Sequence, residues 1–196
     1  MGEGAAKVRM SPEEYLAFER ASELRHEYAH GEVFVMSGGS REHSLTATNI
    51  LGELRSAHLD RPCEVHGSDM RVKSVATGRY VYPDASVICG RAKFEDTSRD
   101  TLLNPIVIVE VLSDSTEAYD RGDKFAHYES IPSVQDYVIA SQKEARIDHF
   151  HRQADGSWNV RILRQNDVLA LDAIGCRIPV GRAYLKVFDP PPADEA

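Results

Sequence analysis

The chain has 196 residues, 42% of them hydrophobic and 28% charged, which suits one domain with its own core. Its formal net charge of −8 opposes general attraction to nucleic acid, which arises when Lys and Arg displace counterions from phosphate. Any such partner must therefore be met by a local basic patch or by metal ions.

No run approaches the roughly 18 consecutive apolar residues of a membrane helix, and the opening MGEGAAKVRM lacks the apolar centre of a secretion signal. Cys63, Cys89 and Cys176 are odd in number and widely spaced, suggesting neither a disulfide framework nor a zinc site. The expectation is a cytoplasmic protein with buried or idle thiols.

Ser11-Pro12-Glu13-Glu14 combines a capping serine, a proline at the first helical position and first-turn acids, predicting a helix to about Ala21. Glu27-Tyr28 and Glu32 to Met36 flank His30-Gly31 as arms of a β-hairpin, and Ser37-Gly38-Gly39-Ser40 ends the second arm. Leu45, Leu51, Leu54 and Leu59 recur at roughly helical intervals over Arg41 to Leu59, before Pro62. Strand patterns follow at about Cys63 to His66, Asp69 to Lys73, Tyr80 to Ile88 and Ile106 to Leu112. A helix is predicted over Ala118 to Ser130, stopped by Pro132, and then a short buried strand at Tyr137 to Ala140. Ile147 to His151, Trp158 to Leu163 and Val168 to Leu171 read as further antiparallel strands, with a short helix near Val180 to Val187. The expected organisation is a loose N-terminus (1–10), one domain (11–188) and a Pro-rich acidic tail (189–196).

Two acids stand where apolar residues are expected. Asp84 interrupts the β-rich run Tyr80 to Ile88, and Pro83 before it fits a strand edge or irregularity that can aim a side chain outward. Glu110 interrupts Pro105-Ile106-Val107-Ile108-Val109-Glu110-Val111-Leu112, otherwise apolar enough for a strand buried on both faces. An unpaired buried charge is costly, so each acid needs a cation, a hydrogen-bond partner or an exposed strand end. One reading has the two acids sharing a metal ion, with oxygen donors favouring magnesium or manganese over zinc. In the other, each accepts backbone N–H groups or pairs with Arg79 or Arg71.

Tyr82-Pro83-Asp84, Val109-Glu110-Val111-Leu112-Ser113, Tyr119-Asp120-Arg121-Gly122-Asp123-Lys124 and Ile131-Pro132-Ser133-Val134-Gln135-Asp136-Tyr137 occur in that order. As a set they resemble the bacterial Uma family of restriction endonucleases, a branch of the PD-(D/E)XK nuclease superfamily. The likeness runs from Ser11 to about Phe188. It implies a restriction-endonuclease-like α/β (α+β) fold, a central mixed β-sheet flanked by helices with additional antiparallel strands. It also implies that Asp84 and Glu110, with the backbone carbonyl of Val111, hold Mg2+ or Mn2+ for hydrolysis of phosphodiester bonds in DNA. One position departs from the pattern: the superfamily lysine stands two residues after the acid, where this chain has Leu112. Lys124, on the following helix, is the candidate replacement, and a surface pair with Asp120 is its plainer reading.

Glu42 and His43 open the second helix and are secondary candidates for the site, although first-turn acids are also common for helix-dipole reasons. Glu27 is a third secondary candidate; Glu27 and Glu32 otherwise read as surface charges of the hairpin. His149 and His151 share one strand face and could bind a metal, against a solvent-facing polar face as the plainer reading. Trp158 reads as core. Leu112 and the acidic balance keep two rivals open: a catalytically inactive binding module, and a metal-dependent hydrolase of a small phosphorylated or nucleotide substrate. A homodimer is a further expectation from the apolar later strands.

Overall fold

A computed structural model describes residues 9–36, 38–113 and 120–188. Helix α1 (Pro12–Ala21) begins with a reciprocal capping box: Glu14 N–H donates to Ser11 Oγ at 3.2 Å and Ser11 N–H donates to the Glu14 carboxylate at 2.7 Å. Its Tyr15 and Leu16 pack against Tyr28 and Tyr80. Strands β1 (His26–Ala29) and β2 (Glu32–Val35) are joined by His30 and Gly31, both at positive φ, 52° and 87°. That is the two-residue turn whose twist suits a hairpin. Helix α2 (Arg41–Ala57) is capped by Ser40, which accepts the His43 N–H, and it buries Thr46, Ile50 and Leu54.

The next strands are β3 (Cys63–Gly67), β4 (Arg71–Lys73), β5 (Tyr80–Val81), β6 (Ala85–Cys89), β7 (Thr101–Leu102) and β8 (Val107–Val111). A π-turn, Asp120–Lys124, runs into a short helix, Phe125–Glu129. Then come β9 (Asp136–Ala140), β10 (Arg146–Arg152), β11 (Trp158–Arg164), β12 (Val168–Leu171), β13 (Cys176–Pro179) and a last short helix, Val180–Ala183. The larger sheet has the order β11-β10-β9-β8-β6-β3 and is antiparallel except between β8 and β9. The smaller sheet runs β2-β1-β5-β4-β7, and β12 pairs with β13 alone.

Alternation along β8 and β9 divides the core. Val107, Val109, Val111, Val138 and Ala140 face α2 and the β12–β13 ribbon, while Ile108, Leu112, Tyr137 and Ile139 face Tyr128, Ile131 and Val134. Both faces are covered, so these strands read as unbroken apolar runs.

Some expectations are corrected. The strand predicted over Tyr80 to Ile88 is two strands in different sheets, because Pro83 offers no N–H to continue a ladder and the chain crosses between sheets there. Thr101–Leu102 is an edge strand too short to leave a periodic pattern. Cys63 and Cys89 are not idle thiols. The β3–β6 register sets them directly opposite, Cα to Cα 4.0 Å, and they form a disulfide, leaving Cys176 as the free buried cysteine. Nothing local marks that pairing, since 26 positions separate the two. The final helix ends at Ala183 rather than near Val187. The predicted helix start at Ala118, Ser37 of the strand break, the tail 189–196 and most of the expected loose N-terminus lie outside the described residues. Among the described residues, no helix is long and apolar enough to cross a membrane.

Candidate active site

The break at Pro83 leaves Asp84 between the two sheets, immediately before β6 and beside the end of β8. Its Oδ2 accepts the Val111 N–H at 2.7 Å, and its Oδ1 lies 3.0 Å from His43 Nε2. Glu110 precedes Val111 on β8 and is buried on the opposite face of that strand. Glu110 Oε1 accepts the Tyr128 hydroxyl at 2.6 Å and lies 3.0 Å from Lys124 Nζ. Lys124 Nζ is also 3.3 Å from Glu27 Oε1, whose carboxylate takes a longer bond from the Tyr82 N–H at 3.4 Å.

Glu27, His43, Asp84, Glu110 and Lys124 line one cavity of about 1100 Å³. Three carboxylates thus stand with one ammonium and one imidazole along one stretch of the cavity wall. Tyr128 is a fixed donor: burial, and then the neighbouring Glu110 carboxylate, hold its hydroxyl pKa far above the ordinary value. Beside it, burial and then the cations Arg79 and Lys124 push the His127 pKa down to about 3. That imidazole is neutral, and its Nδ1 pairs with Thr77 Oγ1 at 2.8 Å.

Asp84, Glu110 and Lys124, far apart in sequence, are brought into the same cavity, and Val111 lines it with its N–H already holding Asp84. Lys124 is buried, with 8% of its side chain exposed, so the surface-pair reading gives way to a place among the carboxylates. Of the secondary candidates, His43 and Glu27 belong to the cavity, whereas Glu42 is held by Arg41 at 3.4 Å and does not line it. Glu27 is turned inward on β1 rather than serving as a surface charge; Glu32 lines the cavity as well. Of the arginines considered as partners, Arg71 pairs with Asp100 at 2.7 Å, and Arg79 contacts His30 and the Asp123 carbonyl. Leu112, in the lysine position of the superfamily pattern, is buried against Tyr128, Ile131 and Ile139. An ammonium there would have to sit in an apolar cluster.

Sequence reasoning missed Tyr128. The signal was its spacing, four residues after Lys124, which brings two side chains to the same side of a helical segment. It also misjudged His149, which is buried rather than solvent-facing. Trp158 is half-buried, edge-on to Phe125 and beneath Arg152.

The chain is similar to known proteins over most of its length. A family model described as "Uma2: Putative restriction endonuclease" matches residues 12–181. Two relatives from Synechocystis sp. (strain ATCC 27184 / PCC 6803 / Kazusa) are described as uncharacterized proteins. The first, slr1290, is 40% identical over 177 residues, covering 90% of this chain and 92% of its own. The second, sll1609, is 34% identical over 145 residues, covering 74% and 82%. A solved structure from Anabaena variabilis ATCC 29413, described as a putative nuclease belonging to DUF820, superposes with a TM-score of 0.74. That match covers 89% of this chain and 97% of the other at 14% identity, and it establishes a shared fold.

Proposed function

The chain belongs to the Uma2 family, and from that premise we propose that it is a metal-dependent endonuclease hydrolysing phosphodiester bonds of DNA at Asp84, Glu110 and Lys124. The observation that carries the reading is the meeting of the Glu110 carboxylate of β8, the Asp84 carboxylate just before β6 and a buried lysine in one large cavity. The donor set fits a hard divalent cation, because its acid donors are carboxylate oxygens. Asp84 and Glu110, with the Val111 carbonyl, would hold Mg2+ or Mn2+. Such an ion supplies Lewis acidity toward a phosphate oxygen and acidifies a bound water.

The remaining work falls to the chain's own groups. The Val111 N–H and His43 fix the Asp84 carboxylate, and Tyr128 fixes that of Glu110. Lys124, beside Glu110, would donate to charge developing on phosphate oxygens. Arg9, Arg25, His30 and Arg79 line the same cavity and would offer cationic and polar contacts to a phosphodiester backbone on a chain whose net charge is −8.

Purified protein with Mg2+ or Mn2+ is expected to nick supercoiled plasmid and to lose that activity in EDTA and in Asp84→Ala. Cleavage by Asp84→Ala at the wild-type rate would overturn the assignment. One rival has support in the cavity volume, which is close to that of small-ligand pockets, up to about 1000 Å³. Hydrolysis confined to nucleotides, with every DNA form intact, would favour that reading.

A further inference from the structure

A second polar cluster lies on the opposite face of the larger sheet. Asp136 opens β9 and is paired across the ladder with His151 of β10; His149, two residues earlier on β10, shares that face. In the β8–β9 register Asp136 aligns with Val107 and Ile139 with Glu110. Three residues separate the two positions, so they project to opposite faces and lie about 10 Å apart along the strands. None of the three residues lines the cavity that holds Glu110. We propose that Asp136, His149 and His151 form a second metal site, for one transition ion of the zinc class.

Asp136 Oδ1 lies 2.7 Å from both His149 Nε2 and His151 Nδ1, and the three donor atoms all fall within 4.8 Å of one another. Ligands on tetrahedral zinc sit at about 2.0–2.2 Å, which sets them roughly 3.3–3.5 Å apart. Converting the hydrogen-bonded cluster into a coordination set therefore needs only a small outward shift of the Asp136 oxygen from each ring nitrogen.

The second observation is Asp136 Oδ2. Its side chain is fully buried, and this oxygen meets no hydrogen-bond donor. One oxygen of the carboxylate thus serves two imidazoles while the other serves none, an arrangement that leaves a desolvated acceptor uncompensated. An ion at the two imidazoles that is held by both oxygens of that carboxylate would remove the deficit.

Two imidazoles and one carboxylate favour zinc or cobalt over magnesium, which takes oxygen donors. His149 is nearly enclosed, whereas the His151 side chain is 38% exposed, so an ion enters from that side and keeps a position open to water. Arg161 stands across from His149 on β11, but it is exposed and its charge is screened by solvent.

The test uses the full chain, stripped with EDTA, free of reductant and carrying Asp84→Asn with Glu110→Gln to silence the other acidic cluster. Titration with Co2+ is expected to give one bound equivalent with the ligand-field absorption of a four- or five-coordinate imidazole site. Stoichiometric Zn2+ should displace it, millimolar Mg2+ should not, and Zn2+ should raise the melting temperature. His151→Ala, at the exposed corner, should weaken Co2+ binding at least tenfold and abolish the Zn2+-induced rise. Asp136→Asn, which keeps the side-chain size, should do the same. No Co2+ binding at tens of micromolar, or an unchanged spectrum in His151→Ala, would overturn the proposal. If Asp136→Asn fails to fold, the spectrum of His151→Ala decides.

Discussion

The two polar clusters of the larger sheet share one motif, a buried carboxylate on a central strand, and neutralise it in different ways. Glu110 is met by an ammonium and a phenol from a helical segment and opens on a cavity of about 1100 Å³. Asp136 is met by two imidazoles from the adjoining strand and does not line that cavity. The first arrangement has room for an extended anionic substrate, and the second offers three converging donor atoms. A buried acid therefore says little by itself; the donor that answers it and the space beside it say more.

The comparison breaks most visibly at Asp84 and Glu110. Asp84→Ala or Glu110→Gln should lower DNA cleavage by on the order of 10³-fold, about 4 kcal/mol of transition-state stabilisation. In the same variants the response to Zn2+ should persist, and its loss in a melting assay would show that the clusters are not independent.

His127 adds a pH dependence to the first region. Its folded pKa of about 3 is below the ordinary 6.5, so the unfolded chain takes up a proton first as pH falls. The stability it supports is complete above about pH 6.5 and is lost progressively toward pH 3, by on the order of 5 kcal/mol. Urea unfolding at pH 7 and pH 4 should show His127→Gln losing less stability than the wild type over that interval.

Lys124→Met should lower stability by about 3 kcal/mol, because Glu27 and Glu110 are left without the ammonium between them. Added Mg2+ should restore much of that loss in a thermal melt, since a divalent ion can replace the missing charge. An unresponsive melting curve would count against cation binding by these carboxylates. The smallest effect belongs to Tyr128→Phe, which removes one charge-assisted hydrogen bond worth about 2 kcal/mol. Plasmid nicking by that variant should fall by less than tenfold.

Asp84 and Glu110 were legible in the sequence because each breaks an apolar run, and a buried charge without a reason is rare. The α1 cap and the His30-Gly31 turn were legible because short-range chemistry fixes them. What stayed hidden depends on register between distant strands. Cys63 and Cys89 meet only through the β3–β6 ladder, and Asp136 meets the histidines only through β9–β10. Lys124 could be named as a candidate, but its burial could not be foreseen, because the charged Asp120 to Lys124 stretch looks like solvated surface. Glu27 looked the same in a short hairpin, where alternation alone does not say which face is covered.

Strands β8 and β9 are parallel neighbours in a sheet whose other pairs are antiparallel. Such neighbours cannot be joined by a tight turn, so the chain must leave the Glu110 end of β8 and travel back before β9 can begin. Lys124 and Tyr128 both ride on that return path. Glu110 is pinned by ladder pairing and Asp84 by the Val111 N–H at the end of that ladder, while the cation and its companion phenol belong to a detour that the topology makes obligatory. A change in the connection between β8 and β9 would therefore move the ammonium and the phenol while leaving Glu110 in its ladder.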